Sequence, residues 1–275
     1  MLDMFKSASA QWELILTKPL KAQIKFLTKV CKVNKRDHLE IRGFFFDKLS
    51  FSLVRKIFGL VDDVIETEAI DYSFQDLIYD RLLYVSEIAH LYPDDVKGDE
   101  NIIFGEGYHV YSASYDDLDR INNFVNSHDD IQSICDLGSG TGRAVLYMAL
   151  MMDKEVEFLG LELVDNRVVF TNSIVERFDL KNIRFKTQDF LDHPESFEGF
   201  DAYYLFDPVG TDDVALMVSH FEDMILGGAK FYILFISGWD DLLHEALKKL
   251  DSLEVIDSFS SSKQEDRFVT FFKVI

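Results

Sequence analysis

The sequence predicts an α/β fold, a Rossmann-like seven-stranded sheet, mostly parallel with an antiparallel last strand, plus a helical N-terminal region. Three observations predict it. From Ile131 onward, short apolar runs alternate with amphipathic stretches of helical length. The chain then closes on two runs that face each other across a polar turn, and residues 1–100 carry helical but no strand periodicity.

At the N-terminal side, Leu20, Ile24, Leu27 and Cys31 fall on one helix face, with Lys21, Lys25, Lys29 and Lys32 largely off it. Such a basic amphipathic stretch suits either a solvated helix packing its stripe on an acidic domain or a membrane-surface or calmodulin-type target. Further helices are expected at 45–59 and 74–91, with Phe44–Phe46, Phe51 and Phe58 as a small core. Asp94–Glu100 reads as an acidic, turn-rich linker, dividing the chain into a helical, basic region, 1–99, and a catalytic-type domain, 100–275. The first would serve substrate recognition, a lid or an interface.

Strands are expected at 131–137, 156–162, 183–188, 200–206 and 229–236. The intervening helices fall at about 142–152, 165–179, 211–226 and 240–250. This alternation implies right-handed βαβ crossovers and a sheet covered on both faces. LEVIDSFSSS and DRFVTFFKVI face each other across Ser260–Gln264 as a hairpin, so the last strand should run antiparallel.

Composition bounds the rest. The chain has 275 residues, 48% hydrophobic and 28% charged, which excludes disorder and a small disulfide scaffold. Its formal charge of −21 hides an asymmetry. Residues 1–60 hold 12 Lys+Arg against 5 Asp+Glu, net +7, and the remaining 215 hold 16 against 44, net −28. A body of that charge should repel phosphate backbones, so the expected partner is a basic protein substrate or a small molecule rather than nucleic acid. Two cysteines and seven scattered histidines show no metal-type spacing, so no metal is expected. With no run of 18 apolar residues and no signal peptide, a reduced, cytoplasmic compartment is expected, export without an N-terminal signal staying open. Oligomeric state is not legible.

The chemistry centres on Asp136-Leu137-Gly138-Ser139-Gly140-Thr141-Gly142-Arg143, which follows an expected strand and opens an expected helix. Glu162 lies 20 residues beyond Gly142, at the end of the next strand, where a carboxylate can accept both hydroxyls of a ribose. A dinucleotide fingerprint would need its third glycine where this chain has Arg143, and no phosphate-binding G-x-x-x-x-G-K-[ST] exists. The pattern suits a nucleoside with an amino-acid tail: Asp136 near the tail's ammonium, glycines under a sulfonium, Glu162 on the ribose. That ligand is S-adenosylmethionine.

On these residues the sequence resembles the class I, seven-β-strand methyltransferases over roughly 100–275. DLGSGTGR is similar to their first motif and Glu162 to their second. The resemblance implies cofactor contacts from Asp136, Gly138, Ser139, Gly140, Thr141, Gly142 and Glu162. It further implies an adenine site at Asp189 and Phe190, where Asp189 could otherwise cap a helix and Phe190 could be core. Asp207-Pro208 corresponds to the motif after the fourth strand, beside the methyl acceptor. Phe104-Gly105-Glu106, with FLGLELVDNRV, resembles the non-SET histone-lysine-type protein methyltransferases. That narrower likeness implies a cofactor contact from Glu106, with Tyr108 or Tyr111 walling the site.

A sulfonium is an activated donor, so catalysis needs mainly alignment of nucleophile, methyl carbon and sulfur. In amino-methylating relatives an Asn or Asp followed by Pro-Pro-aromatic aims the amine lone pair. This chain has Asp207-Pro208-Val209-Gly210, so two positions fit and two depart. The expectation is a methyltransferase acting on a lysine amine of a basic protein, with a small-molecule methyltransferase or a non-catalytic binding module of the same fold as alternatives.

Overall fold

The computed structural model describes residues 8–19, 22, 49–68, 76, 79, 80, 82, 83, 85, 113–238, 241–261 and 267–275. The chain divides into two compact units, Met1–Ser86 and Glu87–Ile275.

In the first unit, α1 (Ala8–Leu16) lies against α2 (Phe51–Glu68). The helix expected at 45–59 starts later and runs further. Ser50 explains the start: its Oγ accepts from the Leu53 N–H at 3.3 Å, satisfying a donor that the first turn leaves open. The helix runs on through Gly59, where a Cβ would meet nothing within 4 Å. Leu53, Val54, Ile57, Phe58, Leu60 and Val61 form its buried stripe, and Phe58 stacks on Tyr79 with ring centroids 3.7 Å apart. The Leu20–Cys31 face, Phe44–Phe46, most of 74–91, the Asp94–Glu100 linker and Phe104 through Tyr111 lie outside the described residues.

The second unit adds a helix not expected from the sequence, α3 (Tyr115–Asn126). Ser114 caps it, accepting from the Asp117 N–H at 3.1 Å, and Asp116 and Asp117 place negative charge in its first turn. The sheet follows as β1 (Ser133–Leu137), β2 (Glu157–Glu162), β3 (Ile183–Thr187), β4 (Ala202–Phe206), β5 (Tyr232–Ile236), β6 (Leu253–Ser260) and β7 (Phe268–Val274). Between them run α4 (Arg143–Met151), α5 (Asp165–Phe178), α6 (Val214–Leu226) and α7 (Leu242–Leu247).

The strand order is β3-β2-β1-β4-β5-β7-β6, with β1 to β5 parallel and β7 antiparallel to both neighbours. The expected seven-stranded architecture is therefore present. Several strands begin later than expected. At β1 the Asp201 carboxylate, not a ladder partner, takes the Gln132 N–H at 2.9 Å and the Ser133 hydroxyl at 2.8 Å. Likewise 211–213 form a single 3₁₀ turn before α6.

The order reverses at β1, which has β2 on one side and β4 on the other. In open α/β sheets the crevice beyond the strand ends at such a switch is where ligands bind. Phe221 and Met217 of α6 close the core over Cys135, Tyr203 and Ile233, and hold the strands rigidly beneath that crevice.

Candidate functional site

The carboxyl end of β1 turns at Gly138, whose N–H donates, with that of Ser139, to the Leu161 carbonyl at 2.9 and 2.8 Å. The loop is thereby pinned to the end of β2. Gly140 and Gly142 have φ of +54° and +72°, a region that strains most side chains and favours glycine. Gly142 is also the residue through which α4 meets α5 and β3: a Cβ there would stand 2.5 Å from Thr171 Cγ2 and 2.9 Å from Phe185 Cζ. Helix α4 begins on that glycine with no side-chain cap, and Thr141 is buried beside it.

Glu162 joins the two motifs. Its Oε2 accepts from the Gly140 N–H at 2.7 Å, and its Oε1 accepts from the Val164 N–H at 2.9 Å and from Arg167 Nη1 at 3.2 Å. The loop and the acid that ends β2 are thus one hydrogen-bonded unit. Arg167 was not singled out from the sequence; its only signal is a position near the start of a helix that follows the acid.

Asp136 stands beside Gly160 of β2 and Tyr204 of β4 in register and is 2% exposed. No described residue donates a hydrogen bond to its carboxylate. Burial, and then the Glu162 charge, push it well above the usual carboxylate range. Nearby, the Ser139 hydroxyl is buried with no hydrogen-bond partner among the described residues.

The remaining expected residues divide. Asp189 Oδ1 accepts from the Leu191 N–H at 2.9 Å and so shapes the turn after β3, while Phe190 belongs to the core cluster, edge-on to Phe197. Asp207 follows β4 with φ +52°, one of two non-glycine residues at positive φ among those described. Sparsely populated backbone of this kind concentrates at functional sites. Its carboxylate occupies the space that a side chain on Gly238 would need, since a Cβ there would fall 2.3 Å from Asp207 Cγ. Pro208 lies in contact with Gly138, with 3.4 Å between its Cα and a Cβ built there. The ends of β1, β2 and β4 thus bring Asp136, the glycine loop, Glu162, Asp207 and Pro208 to one crevice. Glu106 lies outside the described residues. Arg143 lies over the Tyr115 ring at 4.1 Å.

These groups fit S-adenosylmethionine and disfavour a pyrophosphate. A buried carboxylate with no cationic partner among the described residues gains from an ammonium and would repel phosphates. Among the described residues no group of three or more His, Cys, Asp or Glu could hold a metal, and no helix is long and apolar enough to cross a membrane.

The sequence profile of a family described as "Methyltransferase domain" matches residues 128–265. Among solved structures, the fold is similar to TrmN from Thermus thermophilus, at 14% identity and a TM-score of 0.45, covering 57% of this chain and 48% of that one. The chain thus spans about half of that protein's length. An O-methyltransferase from Bacillus cereus in complex with SAH is similar at 15% identity and a TM-score of 0.47, covering 61% and 84% of the two chains. An rRNA methylase from Streptococcus thermophilus follows at 12% identity and a TM-score of 0.42, covering 57% and 95%. No curated protein matches the chain in sequence. The expectation that nucleic acid is not a partner is withdrawn: structures described as TrmN and as an rRNA methylase are among those similar to this fold. Net charge sums the whole surface, whereas recognition follows the local field, so −28 over 215 residues does not exclude such a partner.

Proposed function

Since the chain belongs to the methyltransferase-domain family, we propose that it moves a methyl group from S-adenosylmethionine to a small-molecule acceptor. Its fold is the class I, Rossmann-like fold of S-adenosylmethionine-dependent methyltransferases. The observation that carries the reading is the buried Asp136 carboxylate, without a hydrogen-bond donor among the described residues, beside a glycine loop tied to Glu162.

When bound, the cofactor supplies a methyl group already activated by its sulfonium. The chain's own residues then have positional work. Asp136 receives the ammonium of the amino-acid tail, and Gly138, Ser139, Gly140, Thr141 and Gly142 give the backbone a side-chain-free approach. Glu162 takes the ribose, and Asp189 with Phe190 borders the adenine; Glu106 is assigned a cofactor contact from the sequence resemblance alone. Asp207 and Pro208 border the acceptor, and the positive φ of Asp207 fixes the direction in which the loop leaves β4. Alignment of this kind can supply much of a methyl transfer's acceleration.

The acceptor assignment rests on the loop after β4. Val209 packs against the hydrophobic core, and Gly210 offers no ring where amino-methylating relatives carry an aromatic. A second reading, transfer to a lysine amine of a protein, is favoured by the acidic composition of the crevice, with Asp136, Glu162 and Asp207 at three adjoining strand ends.

The test is transfer of radiolabelled methyl by the full chain into a cell lysate, analysed after protease and after nuclease treatment. Label in low-molecular-weight products supports the first reading. Protease-sensitive label supports the second, and nuclease-sensitive label overturns both. Absence of any transfer together with absence of S-adenosylhomocysteine binding overturns the enzyme assignment itself.

A further inference from the structure

Glu162 has little acceptor capacity left. An ionised carboxylate offers about four lone-pair positions, two on each oxygen. Oε1 takes the Val164 N–H at 2.9 Å and Arg167 Nη1 at 3.2 Å, which fills it. Oε2 takes the Gly140 N–H at 2.7 Å and keeps one position. Two of the three donors are backbone groups held by the fold, Gly140 in the loop pinned to β2 and Val164 as the residue that caps α5. Arg167 is the third, on a rotatable side chain, yet it is 13% exposed against 8% for Glu162, so solvent does little to loosen the pair.

A ribose has two adjacent hydroxyls, and the spacing of the motifs alone suggested that one carboxylate could take both. Resting on the donor-site reading above, we propose that Glu162 accepts a single ribose hydroxyl, on Oε2, and that Arg167 is a positioning residue that keeps the other hydroxyl off Oε1. A second hydroxyl on Oε1 would have to displace a charged donor that already holds it. Arg167 thereby also sets the orientation in which the open position of Oε2 faces the crevice.

The experiment is calorimetric titration of the full chain with S-adenosylhomocysteine and with its 2′-deoxy and 3′-deoxy analogues. The wild-type chain should lose about tenfold or more in affinity for one analogue, the worth of a hydrogen bond to a charged group, and stay within about twofold for the other. In R167M the vacated Oε1 position should make the formerly silent hydroxyl matter by about tenfold, and R167K should return the wild-type pattern. A merely structural arginine would shift all three ligands in parallel. Comparable losses for both analogues in the wild type, or for neither, overturn the proposal, as does a parallel shift in R167M. If R167M does not fold, the wild-type titrations decide alone. A wild-type chain that binds no S-adenosylhomocysteine overturns the donor-site reading and this inference with it.

Discussion

An alanine at position 142 would collide with two neighbours at once. Its Cβ would stand 2.5 Å from Thr171 Cγ2 and 2.9 Å from Phe185 Cζ, on a backbone with φ +72°. The left-handed conformation costs alanine about 1 kcal/mol, and forcing packed side chains apart costs about 1–3 kcal/mol. The expected loss is therefore about 2–4 kcal/mol, a large share of the roughly 5–15 kcal/mol that holds a domain folded. For a unit of this size that is a fall of about 5–15 °C in Tm. Thermal and urea unfolding of the full chain measure it. G199A separates the two contributions, because Gly199 has φ +86° and nothing within 4 Å of a Cβ, so it should lose only about 1 kcal/mol. T171S in the G142A background removes the methyl but keeps the hydroxyl that donates to the Arg167 carbonyl at 2.8 Å, and should recover part of the loss. If G142A proves no worse than G199A, the close packing of α4 against α5 and β3 is not what the glycine serves.

Three further outcomes are expected. Because burial raises Asp136 above its unfolded value, its charge destabilises the native chain as pH rises from that value through the folded one. D136N should therefore raise Tm at neutral pH while weakening S-adenosylmethionine binding by about tenfold or more; higher stability with unchanged binding would remove Asp136 from the donor site. G140R should abolish S-adenosylhomocysteine binding in calorimetry and leave the far-UV circular dichroism of the sheet intact, and normal binding by this variant would overturn the loop assignment. His244, enclosed by Phe235, Phe268 and Phe272 with Thr270 at 3.2 Å, is lowered from 6.5 by burial and then by Lys248, against the opposing pull of Glu245 and Asp241. A lowered histidine withdraws stability as pH falls below its unfolded value, so the urea midpoint should drop between about pH 7 and about pH 5 by less in H244Q than in the wild type.

The βα alternation was legible because parallel strands buried on both faces read as continuous apolar runs, as AYYLF and YILFI do. Helix α3 escaped for the opposite reason. Its buried face of Tyr115, Leu118, Ile121, Asn122 and Val125 is threaded through Asp and Asn residues that favour turns, and the packing against α4 decides the helix. Motif spacing brought Asp136, the glycines and Glu162 to neighbouring strand ends. It could not show that Glu162 already holds the loop through Gly140, because that bond depends on how far the β1–α4 turn folds back. Nor could it show Asp207 at positive φ, with its carboxylate in the space that a side chain on Gly238 would take.

Because β7 lies between β5 and β6, the sheet's outermost strand on that side joins the sheet ladder through β7. A nick or deletion that removed Phe268–Val274 would therefore release two strands, not one. It would also lay bare the flank of β5, whose YILFI is buried throughout. Such an unpaired, charge-free ribbon is a template for intermolecular pairing. Proteolytic damage here should convert the molecule into aggregate or chaperone cargo rather than into a shortened enzyme.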